Sequence, residues 1–486
     1  MRILSLLSIL VLSSFGVLSQ NTFQRVYGGE SYDVGKAIIQ TADDGYLIAG
    51  ATGSFGVESG QIMLIKTDVE GYVEWRKYYG GDYADQAEAM VQDLDGNFLI
   101  GGFSERENLS YQAYALKVDA DGDTIWTRQF GGSEWDFVRE VLALSDGGYA
   151  LFGQTYSYGE GDGDFYLLRL SSDGDTLWTK TYGGPLLESG ESISLTNEGG
   201  FYLTGFTESF GTGKKDVYIV KTDAVGDTLW TRTYGFDEDD QAYGSCTTND
   251  GGIVAVGTSY TPEEGNFMML KFDENGVFDW DRVEDGSTDE SWFDVIENSA
   301  GSLIVAGYVA DSDFGKEDVR IMRVTSQGNF DGMAASRGSP QNDRGYDIKE
   351  TSDNAYVIVG VTGGFLNRFD DVYLLKTDLI GETGSPELGL NEIVIDGVDF
   401  AVTIGPNPIV ESTPSLYIEN YQEVVSKLND PVNLRLFDNV GKVVYQMPVS
   451  SGVTPLLDIE LSKGIYFFQL TSGEIILATG KLVSLR

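Results

Sequence analysis

The chain has 486 residues and a formal charge of −44, from 76 acidic and 32 basic side chains, with one cysteine and no histidine. This composition excludes an internal disulfide, an imidazole base, Ser-His-Asp or Cys-His nucleophile systems and any histidine metal site within the chain. A charge of that sign repels nucleic acid and anionic lipid, and favours either solubility in salty surroundings or the binding of cations.

Residues 1–19 read as a secretory signal: Arg2, an apolar core from Ile3 to Leu12, then Val17-Leu18-Ser19 as a small-residue cleavage site. The core is too short to span a membrane. No cysteine follows the cleavage point, so lipid anchoring is not expected there.

From residue 20 to 381 the chain repeats. Between Phe130 and Gly184 lie four short apolar and β-branched runs, REVLAL, GYALFG, DFYLLRL and TLWTKTY, separated by Gly/Asp turns. Such runs read as strands, and four of them in about 50 residues make one propeller blade. Markers recur every 50–53 residues in seven copies: a glycine ending the second strand (Gly50, Gly102, Gly153, Gly205, Gly257, Gly307, Gly360) and a base in the third (Lys66, Lys117, Arg169, Lys221, Lys271, Arg323, Lys376). The fourth-strand marker is offset. It reads Phe23, Trp75, Trp126, Trp178, Trp230 and Trp280, with a degenerate copy near Met333 and none after Lys376. The first copy, FQRVYGG at 23–29, therefore completes the seventh blade beside the strand around Lys376. The sequence predicts an all-β protein with a seven-bladed propeller closed by its N-terminal strand, which removes an open sheet edge.

An acid follows each fourth-strand marker by ten residues: Asp33, Asp85, Asp136, Glu188, Asp240, Glu290 and Asp343. Seven carboxylates would ring one mouth of the central channel. Two readings stand. Each acid accepts backbone N–H bonds within its turn, or the ring holds a cation such as calcium. On the same face, loops between second and third strands offer Phe55, Tyr158, Phe210, Phe314 and Phe365 amid Gly, Ser and acids. Gln61, Gln112, Asp164, Asp216, Asn266, Asp318 and Asp371 stand just before the third strands. Aromatics with polar neighbours suit sugar rings; the other reading packs these rings under their own loops. The turn VDADGDTIW (118–126) lacks the distal Glu of a calcium loop and serves hairpin geometry. The third-strand bases are expected to pair with acids such as Asp68, Asp119, Asp223, Asp273 and Asp378. Cys246 is expected to be a small core residue of an inner strand.

Residues 382–396 break the phase and read as a linker. From Gly397 to Arg486 the alternating strands of a small Ig-like β-sandwich follow. Pro406-Asn407-Pro408, the hairpin VNLRLFDNVGKVV, Gly464-Ile465-Tyr466 and Lys481-Leu482-Val483 resemble the C-terminal sorting domains of type IX secretion, over roughly 398–486. An insertion, YQEVVSKLND, departs from that pattern. The resemblance implies Pro406, Asn407, Pro408, Gly464, Tyr466 and Lys481 as sorting-signal positions, the type IX machinery as a partner, and a Gram-negative outer surface or the medium as destination. The repeats also resemble those of secreted bacterial propellers, a likeness that speaks to fold rather than activity.

The function expected is binding or adhesion at the cell surface, with a glycan or a protein as ligand, and no membrane span or nucleic-acid partner. The alternatives are a polysaccharide-degrading lyase or glycosidase using carboxylate and Tyr groups, or a non-catalytic surface scaffold. The near-equivalence of the blades favours repeated binding over one asymmetric active site, so no enzyme is expected.

Overall fold

The computed structural model describes residues 22–29, 31–55, 60–107, 110–260, 265–283, 289–310, 317–339, 341–363, 369–379, 381 and 383. Beyond these it describes 402–405, 415–418, 425–426, 428, 431–438, 442–456, 461, 464–472 and 475–484. The signal at 1–19, most of the linker, and Phe314, Phe365, Pro406, Asn407 and Pro408 lie outside the described residues.

Seven four-stranded antiparallel sheets stand in a propeller arrangement. The first blade runs Asp33–Gln40, Tyr46–Thr52, Gln61–Thr67 and Val73–Tyr79, from channel to rim. The seventh takes Asp343–Glu350, Tyr356–Thr362 and Asp371–Thr377 from the end of the repeat and Phe23–Tyr27 from its start. Phe23 stands opposite Lys376 and Tyr27 opposite Val372, the pairing that the offset markers predict. Hydrogen-bonded ladders stay within each sheet. Neighbouring sheets are joined by single backbone bonds, such as Asp33 N–H to the Asp370 carbonyl (2.7 Å) and Glu188 N–H to that of Gly163 (2.7 Å), and by side chains. The second and third strands of the third blade, Tyr149–Thr155 and Asp164–Leu170, are buried along their whole length, because each blade packs on a neighbour on both faces.

Repeat chemistry explains the rim. Each fourth-strand aromatic reaches the turn before the outer strand of the following blade. A Cβ on Gly226, whose φ is +80°, would lie 3.0 Å from the Trp178 ring, and one on Gly276 2.9 Å from that of Trp230. Trp75, Trp126 and Trp280 meet Gly122, Gly174 and Gly328 in the same way. Phe23 meets Gly71 where the seventh blade joins the first, and Met333 meets Gly381 before the seventh. Only a residue without a side chain both adopts this left-handed turn and admits the ring. Tyr27, Tyr79 and Tyr182 donate to the carbonyls of Gly71, Gly122 and Gly226 at 2.6, 2.5 and 2.7 Å, fastening the same contact.

The third-strand bases pair differently from expectation. Lys66 meets Asp43 (2.8 Å), Lys117 meets Asp93 (2.9 Å), Lys271 meets Asp250 and Lys376 meets Asp353 (both 2.8 Å). These acids precede the second strand and lie beside the base in the same sheet. Although burial opposes it, the Lys66 bond holds the Asp43 carboxyl down to about 2. Asp68, Asp119, Asp223 and Asp273 instead accept N–H bonds two and four residues ahead, closing their own turns.

At the C-terminus, a three-stranded sheet (Val402–Gly405, Ser415–Ile418, Val453–Pro455) and a four-stranded one (Val432–Asp438, Val443–Pro448, Gly464–Ser472, Ile475–Ser484) contribute to one core, including Leu416, Ile418, Leu434, Leu436 and Phe468. Gly464 opens its strand, Tyr466 is buried in this core, and Lys481 stands opposite Phe467.

Candidate functional site

Every inner strand bulges at the same place. The register shifts after Gly35, Ala87, Val138, Gly190, Ala242, Trp292 and Gly345. A bulge leaves one residue out of the ladder and re-aims its side chain. The seven bulged residues are Lys36, Glu88, Arg139, Glu191, Tyr243, Phe293 and Tyr346. Each is half-buried, and they meet around the channel as a belt.

Four blades supply alternating charges. Lys36 lies 3.4 Å from Glu88, Arg139 lies 3.1 Å from the other oxygen of Glu88, and Arg139 reaches Glu191 at 3.9 Å. Three blades supply rings, with Phe293 between Tyr243 (5.5 Å between centroids) and Tyr346 (5.1 Å). The Lys36 ammonium sits 4.5 Å over the Tyr346 ring and joins the two halves, a cation–π contact.

Beside the belt in sequence, three acids staple neighbouring inner strands. Glu140 accepts the Ile193 N–H (2.6 Å), Asp294 that of Ile348 (3.1 Å) and Asp347 that of Ile38 (2.7 Å). Lys349 bonds Asp347 and lies 3.6 Å from Asp294. Burial pushes the Glu140 carboxyl up to about 7. Burial and then the Asp347 charge push Asp294 well above the usual carboxylate range, against the pull of Lys349.

Above the charged half, aromatic side chains gather where inner strands begin and second strands end. Tyr111 packs edge-on against Trp135 (5.6 Å) and Phe103 (5.2 Å), and Trp135 against Tyr156 (6.2 Å). Trp135 is 48% exposed, Tyr32 40% and Tyr156 37%. Arg139 lies 5.3 Å over Phe137 beneath them. On the other side, Tyr308 packs on Phe293 (5.8 Å) and under Arg344 (4.9 Å), which holds Glu317 through two bonds of 2.5 and 3.0 Å.

The seven acids begin their inner strands, as the repeat implies, and six of them are at most 4% exposed. They turn to their own loops. Asp33, Asp85, Asp136, Glu188, Asp240 and Asp343 each accept the N–H four residues earlier, at 2.6–2.9 Å. Ser54 (2.6 Å), Ser157 (2.7 Å) and Thr207 (2.5 Å) add hydroxyl bonds to Asp33, Asp136 and Glu188. Glu290 is half-buried. Among the described residues no three Asp, Glu, Cys or His side chains are placed to hold a metal ion.

Phe55, Tyr158 and Phe210 lie over the second glycine of the preceding junction. A Cβ on Gly29, Gly132 or Gly184 would stand 3.2, 3.5 and 2.9 Å from their rings. Phe55 stacks on Tyr78, and Tyr158 and Phe210 tilt against Tyr166 and Tyr218. Tyr158 and Phe210 keep 48% and 41% of their surface exposed. Cys246 is half-buried against the core of the fifth and sixth blades.

The belt escaped the sequence reading. Its signal was available: three residues after each ring acid the side chain changes from blade to blade, Lys, Glu, Arg, Glu, Tyr, Phe, Tyr. The blades are equivalent at the rim but not at the channel, so equivalence gives no ground for excluding an asymmetric site.

No family model and no curated protein matches the chain. Solved structures are similar to it at low identity. PorZ, a surface component of the type IX secretion system of Porphyromonas gingivalis, is 12% identical with a TM-score of 0.40, and the match covers 94% of this chain and 60% of PorZ. The Pseudomonas aeruginosa periplasmic gluconolactonase PpgL is 15% identical (TM-score 0.44), over 64% of this chain and 87% of that one. The Penicillium chrysogenum α-L-arabinanase complexed with arabinobiose is 12% identical (TM-score 0.42), over 75% and 99%. No helix among the described residues is long and apolar enough to cross a membrane.

Proposed function

We propose that the chain is an exported binding protein of a Gram-negative cell surface, and that its ligand is a glycan seated in the channel mouth above the belt. The observation that carries this reading is the pairing of exposed rings with fixed polar groups. Exposed Trp135 packs on Tyr156, which lies within electrostatic reach of Arg139, and the ion pairs of Arg139 with Glu88 and Glu191 hold donors and acceptors in place. Tyr32 is a further exposed ring at the start of an inner strand. Sugars present apolar ring faces and hydroxyl edges, and such a wall-and-floor arrangement meets both. A glycan array probed with the purified protein tests the reading. Trp135→Ala should lower affinity about tenfold or more, and an array without signal would refute it. Export is assigned to the C-terminal unit as an Ig-like sorting domain of type IX secretion. A stop codon after Gly397 should retain the propeller in the cell envelope with its fold intact, and normal appearance of the truncated protein outside the cell would refute the assignment.

One observation favours a second reading, a polysaccharide-degrading enzyme. Glu140, held near 7, stands next to Arg139 in the channel and has the proton affinity of a general acid. A depolymerisation assay separates the two. Loss of product on Glu140→Gln with binding retained would favour catalysis.

A further inference from the structure

We infer that four of the seven blade junctions each hold two buried carboxyl groups sharing one proton, so that assembly of the ring takes up protons. The acid opening the third strand of one blade meets the acid opening the inner strand of the next. A Cβ placed on Gly183 would lie 2.1 Å from Asp164 Oδ1 and 2.4 Å from Glu188 Oε2, so both oxygens crowd one point. Gly235 marks the same crowding for Asp216 (2.2 Å) and Asp240 (2.9 Å), Gly338 for Asp318 (2.1 Å) and Asp343 (2.6 Å), and Gly28 for Asp371 (1.8 Å) and Asp33 (3.1 Å). All eight acids are at most 2% exposed. Two carboxylates so close and so far from water cannot both ionise cheaply.

At the Asp164–Glu188 and Asp216–Asp240 junctions the described residues supply few counter-charges. Glu188 receives the Gly184 N–H and the Thr207 hydroxyl, and the charged group acting on Asp164 beside it is another acid, Glu160. Asp216 receives the N–H groups of Thr212 and Gly213 at 3.1 and 3.0 Å. Asp240 receives that of Phe236 and a Ser259 hydroxyl, with Asp239 acting on it as a further acid. Lys215 lies next in sequence to Asp216 but lays its ammonium over Phe206 at 4.5 Å. The phenols of Tyr218 and Tyr234 complete the walls and are themselves pushed up by burial first, then by Glu188 and Asp164 at Tyr218, and by Asp281 ahead of Asp240 at Tyr234. Asp343 faces Asp370 and the Thr362 and Ser339 hydroxyls. Asp33 has Arg76 within electrostatic reach, the weakest case for a shared proton.

Burial and the neighbouring acid push Asp164 up to about 6, and burial pushes Asp343 to about 6 and raises Asp240 and Asp33. A carboxyl raised in the folded state keeps its proton where the unfolded chain has lost it, between about pH 4 and 6. Stability therefore falls as pH rises through that window and stays reduced above it. The repeat contains its own control. The remaining three junctions carry Gln61, Gln112 and Asn266 in place of the third-strand acid. The three atoms nearest the Gly80 and Gly131 positions belong to a single carboxyl each, Asp85 or Asp136.

The test makes the acid junctions like the amide ones. All seven tryptophans lie between Trp75 and Trp292, so indole fluorescence of the full chain follows the propeller alone. Asp164→Asn and Asp216→Asn together should raise the melting temperature at pH 8 by roughly 2 °C or more and leave it unchanged at pH 4. The variant has two fewer acids on a formal charge of −44, so Asp121→Asn with Asp173→Asn, both exposed turn acids, sets the rise that charge relief alone gives, and the junction variant should exceed it. Equal melting at pH 8, or a lower value for the variant, overturns the proposal. So does a calcium-induced rise in the melting temperature of the parent, absent in the variant, which would assign the pair to a shared cation. Should the double variant not fold, calorimetry at pH 5 in buffers of different ionisation enthalpy compares the parent with Asp164→Asn alone. Glu140 and Asp294 release protons in both, so a smaller release from the variant supports the inference and an equal one refutes it.

Discussion

At the rim the seven blades do one thing seven times, and at the channel no two neighbouring blades carry the same residue. The rim contact of Trp178 on Gly226 is repeated from blade to blade, down to Phe23 on Gly71 where the seventh blade joins the first. The belt runs from Lys36 through two glutamates and an arginine to three rings. The difference separates two jobs. Identical junctions close a ring because each copy sees the same neighbour geometry. A ligand in the central mouth sees all seven inner strands at once, and only unlike residues give it an orientation.

The largest effect should come from removing the strand Phe23–Tyr27. All five of its residues are buried and it is the outer strand of the seventh sheet. Its loss opens a sheet edge and removes the Phe23 contact with Gly71. Deletion should abolish the cooperative fluorescence transition. A deletion variant that still melts in one step at the parental temperature would show that the rim contacts do not act as a ring.

Next comes a single rim contact. Trp178→Ala removes the ring beneath Gly226 and should cost about 2–4 kcal/mol in urea denaturation. Because the contact repeats, Trp126→Ala and Trp230→Ala should agree with it within about 1 kcal/mol. A spread of several kcal/mol would break the claim that the junctions are equivalent.

The channel should behave otherwise. Arg139→Gln leaves Glu88 and Glu191 facing the gap, with Lys36 still answering Glu88. These side chains keep up to 29% of their surface open, so screening limits the loss to about 1–2 kcal/mol. Adding Glu191→Gln should restore about half of it, since the uncompensated charge is then gone. Without such rescue, Arg139 would matter for packing and not for charge.

What the sequence made legible follows the same division. Period, blade number and the strand carried from the N-terminus to the seventh sheet were readable because turn glycines, third-strand bases and outer-strand rings recur in phase. The closest partner of most bases was misread, although Asp378 does act on Lys376 beside Asp353. Asp68 and its equivalents follow the base closely along the chain, but Asp43 and its equivalents lie beside it across the sheet, and sequence distance hides that neighbour. The belt was missed for the opposite reason. A repeat search discards positions that vary, and one bulge per inner strand turns that varying position toward the lumen. The junction pairs were invisible as pairs, because their members stand far apart along the chain and on different blades: Asp164 and Glu188 are separated by 24 residues, and Asp371 and Asp33 lie at opposite ends of the repeat.

The smallest effect separates rim from channel as the place of binding. Tyr158 donates to the Gly131 carbonyl at 2.8 Å, but it is half exposed, and Phe55 and Phe210 occupy the equivalent place without a hydroxyl. Water replaces most of what that bond supplies, so Tyr158→Phe should cost no more than about 1 kcal/mol. Because Tyr158 covers a junction glycine while Trp135 stands over the belt, the two residues should part in binding. Tyr158→Phe and Phe210→Ala should leave glycan affinity within about twofold, against the tenfold loss expected for Trp135→Ala. The reverse order would move the ligand from the mouth to the loops above the junctions. Repeated loops would then bind along the rim, and the unlike residues of the belt would serve only to fill the channel.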